Sequence, residues 1–227
     1  TAYGARVVII PREILPMAST DVRELFPKRQ GADCVPPEVY ARIIKKRLYK
    51  ARPEFGWLRE QAYKMLDPKR IPHVQGCEQE AEKLARHWDE DPGDAVEAAI
   101  LHDITKKLLL DEQLLLCERY GIIIDSLEAK STKLLHAKTA AALAEDLFGV
   151  SARVRDAIRW HTTARPEMSL LEKIIYLADY IEPTRSFEGI SALRALAYED
   201  IDEAMLLGLE MTLDELKRTG VTPHRNS

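Results

Sequence analysis

Four histidines and two aspartates, His73, His102, Asp103, His136, His161 and Asp179, sit on or beside the apolar faces of their helical patterns. A single histidine in such a place is usually structural. Four of them on four helices, joined by two inward aspartates, are hard to satisfy by mutual hydrogen bonds, and burying each unpaired group costs several kcal/mol, roughly. Imidazole and carboxylate together suit iron, manganese or zinc, and six such groups are more than one tetrahedral zinc uses. Two divalent ions sharing Asp103 are therefore expected, an arrangement that activates water and steadies the attacking and leaving oxygens of phosphoryl transfer. Lys106 follows His102 by four residues and Asp103 by three, so on a helix it projects from the flank of both. Its ammonium would stand beside a metal-bound anion such as phosphate, which makes Asp103 and Lys106 the catalytic candidates.

These residues need elements to hold them, and residues 95–106 are the centre. They read as a helix, apolar almost all round, that belongs inside a bundle. Asp94 and Glu97 form a capping-box pattern at its start, and the acidic residues 89–93 with Pro92-Gly93 read as a solvated turn. A helix is expected over about 56–66, and a second from Pro72 with His73, Cys77, Ala81 and Leu84 on one face. Another runs through Leu114 and Cys117 to near Gly121. The next spans about Leu134 to Gly149, with His136, Ala140, Leu143 and Leu147 on its apolar face. Ser151 opens a helix in which Val154, Ala157, Ile158 and His161 share a side, broken by residues 162–166. Ser169 with Glu172 is a second capping box, opening a helix with Leu171, Ile175, Ala178 and Asp179 inward before Pro183 stops it. Helices over about 190–198 and 200–219 close an all-α bundle. His87 falls at a helix end and His224 in the tail.

The first fifty residues read differently. Arg6-Val7-Val8-Ile9-Ile10, closed by Pro11, is the one convincing strand signal, giving the bundle a short N-terminal α/β appendage. Ser19, Thr20 and Asp21 stand where a helix start needs caps, and that start with Arg23 one turn in could also bind phosphate. Pro36-Pro37 opens a helix through Ile43, Ile44 and Leu48 to Tyr49. Residues 50–56, with Pro53 and Gly56, read as a linker. The 227 residues carry 46% hydrophobic side chains, enough for a sizeable core, and a formal charge of −4, which argues against non-specific nucleic-acid binding. Three scattered cysteines offer neither a disulfide framework nor a zinc pattern, which points to a reducing cytoplasm. No apolar run has the length of a membrane span. Opening on Thr1, the sequence is expected to be a piece of a longer polypeptide.

Two resemblances follow from these motifs. Over about residues 5–50, the strand, Ser19-Thr20-Asp21-Val22-Arg23, Val35-Pro36-Pro37-Glu38-Val39 and Leu48-Tyr49 resemble the C-terminal part of bacterial nicotinate-nucleotide adenylyltransferases, whose Ser-Thr-x-x-Arg element contacts ATP phosphates. Met17-Ala18 departs from that family's Ile-Ser, and its His-x-Gly-His motif is absent, so these residues are not expected to transfer adenylyl groups alone. Residues 1–52 thus read as the tail of an upstream enzyme, and 57–227 as a separate domain.

The order His73, His102-Asp103, Asp179 resembles the signature of the HD-domain metal-dependent phosphohydrolases. Within them, Arg70 three residues before His73, Leu101-His102-Asp103 with Lys106, Trp160-His161-Thr162-Thr163 with Arg165-Pro166, and the run from Glu172 to Pro183 resemble the YqeK family of symmetrical bis(5'-nucleosyl)-tetraphosphatases. That resemblance covers about residues 57–225. It implies hydrolysis of diadenosine tetraphosphate to two ADP and iron as the metal, with manganese or zinc as alternatives. It further implies phosphate contacts from Arg70, Lys106, Arg165 and Arg185, with Thr162 and Thr163 as hydroxyl donors. The family has Gly where Ala164 stands, and His-Gly-Pro where this chain has His136-Ala137-Lys138. A loop needing positive φ at 164 would be harder to form, because alanine disfavours it. Other readings are an HD phosphohydrolase of another nucleotide, or a nucleotide-sensing module with a vestigial centre attached to an adenylyltransferase. The partners to test are a dinucleoside polyphosphate, a second copy in a homodimer, and a covalently fused adenylyltransferase domain.

Overall fold

The computed structural model describes residues 18–224, so the expected strand at 6–10 lies outside the described residues. Within them the chain is all-α: α1 (Ser19–Leu25), α2 (Pro37–Lys45), α3 (Phe55–Lys64), α4 (Ile71–His87), α5 (Pro92–Leu101), α6 (Leu110–Tyr120), α7 (Thr132–Phe148), α8 (Ala152–Trp160), α9 (Leu170–Ile181), α10 (Ile190–Glu199) and α11 (Ile201–Thr219). Among the described residues no helix is long and apolar enough to cross a membrane.

The centre of the bundle is α5, on which every residue from Ala95 to Leu101 is buried. It packs against α3, α4, α8 and α9, and the main core collects around it. Three local signals were read correctly because each is a complete device. Ser151 accepts from Val154 N to cap α8, Ser169 and Glu172 close a reciprocal box on α9, and Gly121 and Gly149 take the left-handed conformation that ends α6 and α7.

Several boundaries differ from expectation. The cap of α5 is Asp91, whose side chain accepts from Gly93 N and Asp94 N at 2.7 and 3.3 Å, with Pro92 in the first turn. Proline suits that position, so the helix starts three residues early and takes in part of the supposed turn. Asp94 is left free to pair with Arg52, and Glu97 is buried one turn further in. At the other end α5 stops at Leu101 rather than running to Lys106. Lys106 N bonds to Asp103 O at 2.9 Å and Leu108 N to Thr105 O at 3.0 Å, so residues 102–107 form tight three-residue turns. Helix α2 ends at Lys45, because Arg47, Tyr49 and Lys50 adopt positive φ. The cap of α1 is Ala18, whose N–H donates to Asp21 at 3.0 Å, so the carboxylate rather than Ser19 or Thr20 closes that start.

Residues 18–54 carry a small core of their own, with Phe26, Tyr40, Ile43, Ile44 and Ala51 buried. Trp57 joins it to the main core, edge-on to Tyr40 at 5.1 Å and to Phe148 at 6.0 Å. The stretch read as a linker is packed: Ala51 is buried, and Pro53 O accepts from Arg29 at 3.1 Å.

Candidate metal centre

All six expected ligands converge at the C-terminal end of α5. His102 and Asp103 follow its last residue, His73 comes from the first turn of α4, His136 from α7, His161 from the end of α8, and Asp179 from α9. Asp103 is 1% exposed and lies between two histidine groups. Its Oδ2 faces His102 Nε2 at 3.5 Å and His73 Nε2 at 3.8 Å. Its Oδ1 faces His136 Nε2 at 3.2 Å and His161 Nε2 at 3.9 Å. Asp179 Oδ1 lies 3.1 Å from His73 Nε2, so the second carboxylate joins the first group.

The rings are aimed by their outer nitrogens. His102 Nδ1 lies 2.7 Å from Ala99 O and His161 Nδ1 lies 2.6 Å from Ile158 O, each a carbonyl one turn back that accepts the ring proton. His73 Nδ1 donates to Glu182 at 3.1 Å. Each of these contacts turns its ring so that Nε2 points inward, the orientation of metal-binding histidines. The Nε2 atoms of His136 and His161 face each other at 3.0 Å. His102 Nε2 and Asp103 Oδ1 are buried without a hydrogen-bond partner among the described residues. Orphaned lone pairs converging on one small volume fit a cation, and nitrogen and carboxylate donors fit a first-row transition metal or zinc.

Charge in the cluster is set by burial and by its neighbours. Burial opposes ionisation of Asp103, but His102, His136 and Lys106 outweigh it and hold the carboxyl well below its usual range. Burial likewise opposes ionisation of Asp179, outweighed by His73 and His102, so it too stays ionised. Burial, with His136 and His102 beside it, drives His161 well down, leaving it neutral and able to coordinate. Burial also lowers Lys106.

Three cations face the carboxylates. Arg70 donates to Asp103 Oδ2. Arg185 donates to Asp179 Oδ1 at 2.8 Å. Lys106 Nζ lies 3.7 Å from Asp103 Oδ1 and 2.9 Å from His136 Nε2, brought there by the tight turn rather than by a continuous helix. Thr162 Oγ1 is 3.4 Å from His136 Nε2. Two expected residues are not brought in. Arg165 instead donates to both oxygens of the capping carboxylate Glu172, at 2.7 and 3.0 Å. Thr163 is buried and its hydroxyl donates to Ala164 O at 3.4 Å. Between these two residues, Ala164 has φ 57°, the conformation its side chain disfavours.

Two groups at the centre were not singled out from sequence. Cys77 Sγ lies 3.5 Å from His73 Nε2, one turn along α4, and burial pushes its thiol well up, so it is neutral. Glu182 is fully buried and orients His73, while Thr184 donates to it from both N and Oγ1, at 2.6 and 2.5 Å. Gly76 makes room for it, because a methyl group there would collide with the Glu182 carboxylate. The available signal was the spacing of Glu182 three residues after Asp179, one turn along the same helix.

The family model of the HD domain matches residues 70–184, which span all six candidate ligands. The chain belongs to the HD-domain family. This chain is 37% identical over 145 residues to the symmetrical bis(5'-nucleosyl)-tetraphosphatase of Bacillus subtilis strain 168, covering 63% of this chain and 77% of the relative. With the protein of the same name from Halalkalibacterium halodurans it shares 39% over 145 residues, with the same coverage of both. A Mycoplasma genitalium protein named "Probable nicotinate-nucleotide adenylyltransferase/Ap4A hydrolase" is 30% identical over 165 residues, 67% of this chain and 45% of that one. Among solved structures, a "predicted HD superfamily hydrolase involved in NAD metabolism" from Clostridium acetobutylicum superposes with a TM-score of 0.73 at 36% identity, over 76% of this chain and 92% of that one. HD domains are metal-dependent, and the histidines and carboxylates around Asp103 include groups that could hold a metal ion.

Proposed function

We propose that this HD-domain protein is a metal-dependent phosphohydrolase that cleaves diadenosine tetraphosphate symmetrically to two ADP. The observation that carries the reading is the position of Asp103, with inward-facing imidazoles on each of its oxygens and three cations around the two carboxylates. The relatives' names supply the substrate class.

His73, His102, Asp103 and Asp179 would hold one divalent ion, and His136, His161 and the other oxygen of Asp103 a second. Iron is the proposed metal, with manganese and zinc as alternatives. Such a pair supplies water activation and neutralises charge developing on the phosphates. Arg70, Lys106 and Arg185 then bind the polyphosphate chain, since each is a cation already held at the cluster by a carboxylate. Thr162 offers a hydroxyl at the same edge. Water adds to an inner phosphorus, the bond to the central bridging oxygen breaks, and one ADP departs while the other retains the new oxygen. Arg165 and Thr163 have no part in this assignment.

The domain division at residues 52–57 and the attachment of an upstream adenylyltransferase form part of the same proposal. Support comes from the paired activities in the Mycoplasma genitalium name.

The test is product analysis. Metal-loaded protein, purified without chelator and assayed for metal content, should convert diadenosine tetraphosphate to ADP alone. Equal amounts of ATP and AMP would overturn the symmetrical assignment, and wild-type turnover by Asp103→Asn protein would overturn the site.

A further inference from the structure

Beside the cluster lies a cleft of about 770 Å³, within the size range of small-molecule sites. Its floor is apolar and partly aromatic, made by Tyr180, Phe187 and Met211, and its rim on α11 carries Asp214 and Glu215. The rings of Tyr180 and Phe187 lie 5.1 Å apart. Arg185 belongs to both places: it lines the cleft, and it donates to Asp179 Oδ1 at 2.8 Å and Asp179 O at 3.1 Å. The loop carrying Arg185 and Phe187 is braced from below. Arg194 donates to the carbonyls of Ile181, Glu182 and Arg185 at 2.8, 2.8 and 3.1 Å.

We infer that this cleft seats the nucleoside end of the nucleotide whose phosphates meet the metal centre. The inference rests on the reading of that centre as a nucleotide phosphohydrolase and names the residues that would recognise the base and sugar. Charge pairing decides which end of the ligand belongs here. The cations on the cleft are already engaged, Arg185 by Asp179 and Arg218 by Glu215, Asp214 is paired with Lys217, and Glu188 adds a negative charge, so the cleft has no cation to spare for a whole polyphosphate. A neutral, planar base suits the aromatic and methionine floor, because every base has a face that stacks on a ring. The rim carboxylates are acceptors for ribose hydroxyls or an exocyclic amine. Arg185, at the boundary, is placed for the first phosphate after the sugar. Both rings are only partly buried; Tyr180 packs against the main core, while Phe187 stands outside it and is free of that duty.

The experiment titrates metal-loaded wild-type protein and Phe187→Ala protein with ADP and, separately, with inorganic pyrophosphate. Loss of one stacking ring should weaken ADP binding roughly 5- to 150-fold, the range for a base stacked on an aromatic side chain, and leave pyrophosphate unchanged. Phe187→Tyr should restore ADP binding. Phe187→Leu, which keeps apolar bulk without a ring face, should remain weak, and this pair decides the matter if the alanine variant folds poorly. Unchanged ADP affinity in the alanine and leucine variants, or equal weakening of ADP and pyrophosphate, overturns the nucleoside seat. The two readings separate cleanly. Hydrolysis of diadenosine tetraphosphate with an unaltered KM in both variants removes the seat and leaves the activity. Ring-dependent ADP binding by a protein that hydrolyses no tetraphosphate removes the activity and leaves the seat.

Discussion

Helix α5 buries charge at both ends, and the ends differ in whether the chain satisfies what it buries. Near its start Glu97, 1% exposed, accepts from Arg29 on one oxygen at 2.9 Å and from Arg47 on the other. Arg29 also donates to Gly93 O and Pro53 O at 2.9 and 3.1 Å. That network is closed, and no atom of Glu97 is left without a partner. Past its last residue, Asp103 is buried just as deeply, yet its Oδ1 and the neighbouring His102 Nε2 have no hydrogen-bond partner among the described residues. Burial of a charge is therefore no sign of function by itself. The sign is burial with lone pairs left over and pointed at one spot.

Substitutions can break this contrast from either side. Asp103→Asn should lower turnover of diadenosine tetraphosphate by roughly 10³-fold or more, because it disables groups that act as a unit, with little change in the urea stability of the metal-free protein. Glu97→Ala should do the reverse. Stability should fall by up to about 3 kcal/mol in urea denaturation, as two half-buried guanidiniums lose their carboxylate, while turnover by the folded fraction stays near wild type. If Glu97→Ala protein folds well but is inactive, the two ends are not independent.

Removing metal probes the open end alone. Chelation should lower the Tm, corresponding to about 2.7 kcal/mol if metal had been present at a hundred times its Kd. The shift should vanish in Asp103→Asn and persist in Glu97→Ala. A smaller effect is expected one layer out. Gly76→Ala should push Glu182 off His73 and weaken metal binding roughly 10- to 100-fold, read by competition with a chelating dye. Smallest is Ala164→Gly, which relieves positive φ beside the cluster and should raise stability by under about 1 kcal/mol, measured by the urea midpoint.

Much of the bundle was legible because its signals are local. The caps Ser151 and Ser169, the terminal glycines 121 and 149, and the periodic apolar faces of α4, α7 and α8 each decide their own helix whatever lies across the core. Those faces carried or ended in His73, His136 and His161, and the apolar runs of α5 and α9 led to His102, Asp103 and Asp179, so all six candidates could be named before their meeting place was known. Where two local signals competed, reading failed. Asp91-Pro92 and Asp94 with Glu97 are both plausible starts for α5, and the choice is settled by Arg29, Arg47 and Arg52, far away in the chain. The pairing of Arg165 with Glu172 was hidden for the same reason, since nothing in the motif reveals that the capping carboxylate also accepts from it.

Sequence by itself determined which side chains are candidate ligands and which helical segments bear or adjoin them, because periodicity and capping are properties of a few consecutive residues. Only the tertiary structure decided that Asp103 stands between two groups of histidines, that a tight turn returns Lys106 to it, and that Glu182 orients His73. Those facts depend on packing between elements as many as 109 residues apart, and no local pattern carries that distance.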